Sequence, residues 1–270
     1  MSQFLGIARE RLYSPGKVEA DRAILDAVAT VLAQRHDVRI ISAEDPLPEV
    51  QPGVLVFAMC QGPAALATLR RWEGAGVRVV NSPAAIENCH RQRMLPAFAR
   101  AGVRHPASVL VATGDGVSLP VWIADGVWIK RGDVHATEPD DVVGVHGEAA
   151  ARAALRRFHG RGIERALIQR HVRGDVIKFY AVRGTFFAWF PPADVALSLS
   201  TGEVAALRQL AEEGAAALGL EIFGGDCVRH GENDFWLIDL NDWPSYAACR
   251  GAAAGAISNY LAAQKAKPLA

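Results

Sequence analysis

The first eighty residues alternate short apolar runs with amphipathic stretches, and few folds accommodate that alternation. Residues 4–8, 38–41, 54–59 and 77–80 read as strands. Between them, residues 18–33 place Ala23, Ile24, Ala27, Val28, Val31 and Leu32 at helical spacing. Residues 64–72 read as a second helix, with Pro63 where a first-turn proline is tolerated. This β-α-β-β-α-β order predicts a small parallel sheet with helices on its faces. Asn81-Ser82-Pro83 ends the pattern.

The middle of the chain is expected to be helical over 84–101, with Pro96 as a kink or a junction between two helices. Strands are expected at 108–111, 121–123 and 127–130, with Asp125-Gly126 as a hairpin turn. Residues 131–141 read as a loop, 148–158 as a helix and 166–169 as a strand. In the last third, 175–182 and 185–190 flank Arg183-Gly184 as an antiparallel hairpin. A helix over 202–218 stops at Gly219. Strands at 222–228 and 235–240 form a second antiparallel pair, and 247–262 form a closing helix. The fold class expected is α/β followed by α+β.

Composition narrows function by exclusion. Half of the 270 residues are hydrophobic and 21% are charged, which excludes global disorder. Lys plus Arg and Asp plus Glu both number 29, so no long-range field favours nucleic acid or an anionic membrane as partner. Cys60, Cys89, Cys227 and Cys249 form no CxxC pair, which argues against zinc or a disulfide framework and fits a reducing cytoplasm. No targeting segment or membrane-length apolar run is visible.

The strongest chemical signal lies near the end. Asp239 and Asn241 stand at i, i+2 on one strand and share a face. Asp226, after Gly224-Gly225 on the preceding strand, can lie on that face too. Two carboxylates and an amide are hard oxygen ligands suited to Mg²⁺ shared with phosphate. The alternative is a solvated strand face, against which Asp239 sits between Ile238 and Leu240. Lys130 ends an apolar strand and enters a loop, where it either contacts phosphate or snorkels. Lys178 shares a face with Val176 and Tyr180 and points either to solvent or into a cleft. No GxxxxGK[ST], GxGxxG, HExxH or GxSxG motif occurs. Cys60 reads as a small buried residue rather than a nucleophile.

Taken in order, these pieces resemble the ATP-grasp superfamily over most of the chain. Asn81-Ser82-Pro83, His90-Arg91, Leu95, Ala101-Gly102-Val103 and Pro106 resemble its passage into a central lobe, with Arg91 where a lysine is usual. Trp128-Ile129-Lys130 and the following loop, here poor in glycine, resemble the second phosphate-contacting lysine and its covering loop. Residues 167–172 resemble the hinge strand that holds adenine. Residues 175–180 with Arg183-Gly184 resemble the next hairpin. Gly225-Asp226 and Ile238-Asp239-Leu240-Asn241-Asp242-Trp243-Pro244 resemble the metal-binding strands.

The resemblance implies three lobes, set at 1–82, 83–165 and 166–270, with ATP between the last two. It implies Mg²⁺ or Mn²⁺ on Asp226, Asp239 and Asn241, and phosphate contacts from Arg91, Lys130 and Lys178. It places the purine along Gln169, Arg170 and Val172. Trp243, Ser245, Tyr246 and Arg250 are expected at the acceptor, with Lys178 and Arg250 as catalytic residues. Most members are ligases that activate a carboxylate as an acyl phosphate, release ADP and pass the acyl group to an amine or thiol. Asp239 stands where most ligases carry Glu, and Asp-x-Asn with Lys178 is closer to the superfamily's inositol polyphosphate kinases. A small-molecule kinase is therefore the alternative activity, and a non-catalytic nucleotide-binding protein a third. The partners implied are an acid plus an amine, or a polyol; a homodimer is compatible.

Overall fold

The computed structural model describes residues 3–132, 138–192 and 195–266. Four parallel strands open the chain: β1 (Phe4–Ala8), β2 (Val38–Ser42), β3 (Leu55–Ala58) and β4 (Arg78–Val80), in the order β2-β1-β3-β4. Helix α1 (Val18–Leu32) buries Ile24, Leu25 and Val28 with Phe4 and Phe57. Helix α2 (Pro63–Gly74) buries Leu66, Leu69 and Trp72 with Leu5 and Val56. Adjacent strand residues point to opposite faces, so the two helices cover opposite sides. The carboxyl ends of β1 and β3 deliver Arg9 and Gln61 to one crevice, as open parallel sheets generally do.

The central region departs from expectation at four places. The helical stretch is divided into α3 (Pro83–Asn88) and α4 (Arg91–Ala101), and the break falls at Cys89-His90, not at Pro96. Ser82 caps α3 by accepting from the Ala85 amide, and His90 is extended before α4. Residues 121–125 form a 3₁₀ turn rather than a strand, so no hairpin forms at Asp125-Gly126. Val121 is 96% exposed while Ile123 is buried with Leu155 and Phe158, a turn's spacing and not a strand's. The sheet instead contains β5 (Ser108–Ala112), β6 (Val127–Arg131), β7 (Val142–Val145) and β8 (Arg165–Arg170), antiparallel in the order β5-β8-β6-β7. Strand β7 was not expected; it pairs with β6, and Gly144 stands opposite Trp128 with the indole ring against it. Helix α5 (Gly147–Gly160) covers one face. The loop expected over 131–141 is partly strand β6 and partly a 3₁₀ turn at Pro139–Asp141, and residues 133–137 lie outside the described residues.

The last sheet carries β9 (Asp175–Val182), β10 (Phe186–Phe190), β11 (Ile222–Gly231) and β12 (Asp234–Asp242), in the order β10-β9-β11-β12. Ile177, Phe179, Ala181, Phe223 and Cys227 pack against α6 (Thr201–Leu218) and α4. On the opposite face, Tyr180, Val182 and Ile222 pack with α7 (Arg250–Lys265) and α1. Strand β8 lies inside the central sheet, and α3 and α4 pack in the C-terminal core, because burial joins segments distant in sequence.

Gly225 lets β11 sit close to its neighbours. A Cβ there would overlap the Asp239 carbonyl oxygen and lie 2.8 Å from Phe179 Cζ. Gly225→Ala is expected to destabilise by about 1–3 kcal/mol through overpacking, read by urea denaturation. An unchanged midpoint would mean that the strand spacing does not depend on this glycine.

Candidate functional site

Strand register builds the site's first wall. Asp226 pairs with Lys178 on one side and with Asp239 on the other, while Gly224 pairs with Asn241. Lys178, Asp226, Asp239 and Asn241 therefore share the face that lines a cavity of about 540 Å³. A register shift follows Asp226, so both Ile238 and Asp239 reach the cavity. Lys178 Nζ donates to Asp226 Oδ1 at 2.8 Å. Burial pulls the lysine's pKa down, and the Asp226 carboxylate overrides it, so the net direction is up.

The interrupted helix supplies the next group. Arg91, the first residue of α4, is 5% exposed. Its Nη2 donates to Asp239 Oδ2 at 2.7 Å and its Nη1 to the Arg131 carbonyl at 2.8 Å. Lys130, on β6 and also 5% exposed, lines the same cavity. Burial holds its pKa down at about 8; nearby Arg91 adds to the effect and Asp239 opposes it.

The opposite wall comes from the central sheet's face away from α5. Trp128 and Val142 line the cavity with Arg170, His171 and Val172. Trp128 Nε1 donates to His171 Nδ1 at 3.0 Å, which fixes that ring nitrogen as an acceptor. Arg170 pairs with Asp125 at 2.6 Å. Gln169 stands directly across from Trp128 but is only 2% exposed, and its Nε2 donates to Ser108 at 3.3 Å.

A third group of residues closes the far end. Arg9 Nη1 donates to Asp21 at 3.0 Å, its Nε to the Met59 carbonyl at 2.9 Å, and its Nη2 to the carbonyls of Asp242 at 3.2 Å and Trp243 at 3.0 Å. Gln61 Nε2 donates to Asp242 Oδ1 at 2.7 Å, and Ser14 bonds Asp21. Tyr13, Lys17, Tyr180, Pro244 and Ser245 complete this end.

Asp226, Asp239, Asn241, Arg91, Lys130, Lys178, Arg170 and Val172 all line one cavity. Gln169 and Arg250 are not among its lining residues. Two of the expected acceptor contacts are core residues instead. Trp243 is fully buried and stacks on Phe57 at 5.9 Å. Tyr246 is fully buried, and its hydroxyl lies 2.6 Å from the Ala181 carbonyl and 3.0 Å from that of Phe223. Sequence reasoning overlooked Arg9 and Gln61, whose signal was a polar residue just beyond a buried parallel strand. Burial drives the Cys60 thiol far above its usual pKa, so it is no nucleophile.

The donor set fits a hard divalent cation. Among the described residues no cluster of three or more His, Cys, Asp or Glu side chains is gathered for a metal. Asp226, Asp239 and Asn241 offer oxygen atoms only, and phosphate oxygens would have to complete the shell. Among the described residues no helix is long and apolar enough to cross a membrane.

No protein-family model matches the sequence, and no curated protein does either. The fold, however, matches many solved structures. The ATP-grasp ligase PsnB, complexed with minimal precursor, Mg and ADP, superposes with a TM-score of 0.68 at 16% identity, over 98% of this chain and 99% of that one. D-alanine–D-alanine ligase from Bacillus anthracis complexed with ATP gives 0.74 at 9% identity, over 98% and 97%. A RimK domain ATP-grasp protein from Sphaerobacter thermophilus gives 0.65 at 18% identity, over 96% and 99%. The chain has the ATP-grasp fold.

The Lys130 environment sets a pH dependence. Its folded-state pKa of about 8 lies below the ordinary 10.5, so the native state is penalised while the lysine is charged. The penalty is complete below pH 8 and fades as pH rises towards 10.5. Lys130→Met is expected to raise stability at pH 7 by about 1–3 kcal/mol, with the gain shrinking above pH 8. Urea denaturation at pH 7 and pH 10 tests this; a pH-independent difference would mean the ammonium is not desolvated.

Proposed function

We propose that the protein is an ATP-dependent ligase that joins a carboxylic acid to an amine, or to a thiol, through an acyl phosphate and releases ADP. The observation that carries the reading is one cavity lined by Asp226, Asp239 and Asn241 on one wall and by Lys130 and Arg91 beside them. The ATP-grasp fold supports it, and the matched structures include ligases complexed with ATP, with Mg and ADP, and with a precursor peptide. Asp226, Asp239 and Asn241 would hold Mg²⁺ or Mn²⁺. A dication there would offset charge on the leaving diphosphate.

The chain's own groups do the rest. Lys130 and Arg91 neutralise phosphate, and Lys178 contacts either phosphate or the acceptor. The purine would lie along the end of β8 at Arg170, His171 and Val172, beside Trp128. The acid's oxygen attacks the terminal phosphorus and ADP departs; the amine then attacks the acyl carbon and phosphate departs. The N-terminal end of the cavity, with Lys17, Tyr13 and Ser245, would receive the acceptors, an amino acid or a peptide being in keeping with the matched ligases. With no protein nucleophile required, catalysis consists of positioning and charge stabilisation.

One feature favours a second reading. Asp239 replaces the usual Glu, which suits a kinase that phosphorylates a hydroxyl. The two reactions separate cleanly by product. The ligase should release ADP and phosphate together, only with acid and amine both present, and should form a hydroxamate from the acid plus hydroxylamine. A stable phosphoester without hydroxamate would establish the kinase, and AMP with pyrophosphate would refute both. Asp239→Asn is expected to lower turnover roughly 10²-fold or more without loss of fold. Unchanged turnover at saturating Mg²⁺ would remove the metal assignment.

A further inference from the structure

We infer that the acceptor is an amine held as its ammonium, and that Gln61 is the residue that recognises it at the N-terminal end of the cavity. The inference rests on the ligase reading above and deepens it by choosing the amine over a thiol. Gln61 lies just beyond β3 and is 7% exposed. Its Nε2 donates to Asp242 Oδ1 at 2.7 Å, and Arg9 Nη2 stands 3.7 Å from the other oxygen of that carboxylate. A carboxylate only accepts, so the amide nitrogen must face Asp242 and the amide oxygen must face away from it. That oxygen has no hydrogen-bond partner among the described residues. Unlike the enclosed Gln169 Oε1, it stays accessible from the cavity that Gln61 lines. A largely buried amide oxygen left open in this way calls for a donor from a ligand.

Charge decides which donor. The carboxylates of Glu10, Asp21 and Asp242 gather around the single guanidinium of Arg9. Glu10 accepts from the amides of Gln61 and Gly62 at 3.0 Å each, and the start of α2 offsets part of its charge. Asp21 and Asp242 still outnumber Arg9, and Lys17 stands exposed at the rim. Arg9 is committed to Asp21 and to the carbonyls of Met59, Asp242 and Trp243, so it is not the residue that receives an acid. The neighbouring Cys60 thiol senses the same imbalance. Burial raises its pKa most, Glu10 and Asp242 raise it further, and Arg9 lowers it by less than either of them.

The cavity is therefore divided by sign. Lys178, Arg91 and Lys130 set cations along one wall. The other end, reached one residue beyond Asn241, presents an unpartnered oxygen among carboxylates. An ammonium satisfies both the oxygen and the charge. A hydroxyl would satisfy the oxygen alone. A thiol reacts as its thiolate, which the same carboxylates would repel.

The test is isothermal titration of the intact protein, first with Mg²⁺ and the non-hydrolysable analogue AMPPNP and then with three probes of one shape. Alaninamide, lactamide and propionamide carry an ammonium, a hydroxyl and a hydrogen at the same carbon. A pH of about 6.5 keeps the α-amino group protonated. Alaninamide should bind at least about tenfold tighter than either neutral probe. Gln61→Met, close in shape but without the oxygen, should lose that preference. Gln61→Glu also loses the bond to Asp242 but keeps an oxygen, so it should retain the preference. Circular dichroism confirms the fold of each variant. Loss of the preference in both variants would mean that Gln61 only holds Asp242, and would overturn the assignment. Equal binding of alaninamide and lactamide by the parent, or a preference that survives in Gln61→Met, would overturn it too. A parent that binds no AMPPNP with Mg²⁺ yet still prefers alaninamide would refute the nucleotide reading and support the ammonium site.

Discussion

The guanidinium of Arg91 ties the site together. It begins α4, accepts burial to 5% exposure, and reaches a carboxylate on β12 and a main-chain carbonyl on β6 at the same time. Three elements from different parts of the chain are thereby held around one cavity. A buried charge is tolerated only when paired and hydrogen-bonded, and both conditions are met here. The planar fork of arginine suits this double role, since its donors address a carboxylate and a carbonyl in fixed directions. The break at Cys89-His90 matters for the same reason: it sets where α4 begins and hence where Arg91 points.

A second set of buried polar bonds fixes the cavity's far end. Arg9 binds the carbonyls of Met59, Asp242 and Trp243 as well as Asp21. Glu10 accepts from the amides of Gln61 and Gly62 at 3.0 Å each, and Gln61 in turn holds Asp242. The N-terminal sheet is in this way bonded to the end of the strand that carries Asp239 and Asn241. Such networks are stabilising when their members are satisfied and costly when broken, so they lock one arrangement of the sheets. Asn81 adds to the lock by accepting from the amides of Glu221 and Ile222 at 2.8 Å and 3.0 Å.

The gathering of charge around the cavity also costs the protein stability. Lys130 is kept where burial favours its neutral form, although its charged form is the one an anion would pair with. An anionic ligand would relieve this, since a negative partner favours the ammonium. Stability given up at a site and recovered on binding is a common trade in enzymes.

The sequence by itself determined the kind of fold and the types of side chain available to the site. Alternating apolar runs called for the parallel sheet, and strand periodicity put Asp239 and Asn241 on one face, because side-chain direction in a strand is a local property; the register between strands decided that Asp226 and Lys178 stand beside them. Strand β7 and the 3₁₀ turn at 121–125 were not legible: β7 sets Gly144 against Trp128 of β6, and the turn buries Ile123 with Leu155 and Phe158, contacts made across elements. The membership of β8, α3 and α4 was likewise decided by which distant segments they bury. Trp243 and Tyr246 show the limit most clearly. Their neighbours in sequence line the cavity, yet Phe57 and the carbonyls of Ala181 and Phe223 draw both rings into the core. Arg9 and Gln61 were drawn the other way, to the cavity's edge, by where two parallel strands end. Periodicity says which side of its own strand a residue faces, and only packing between elements says what stands on that side.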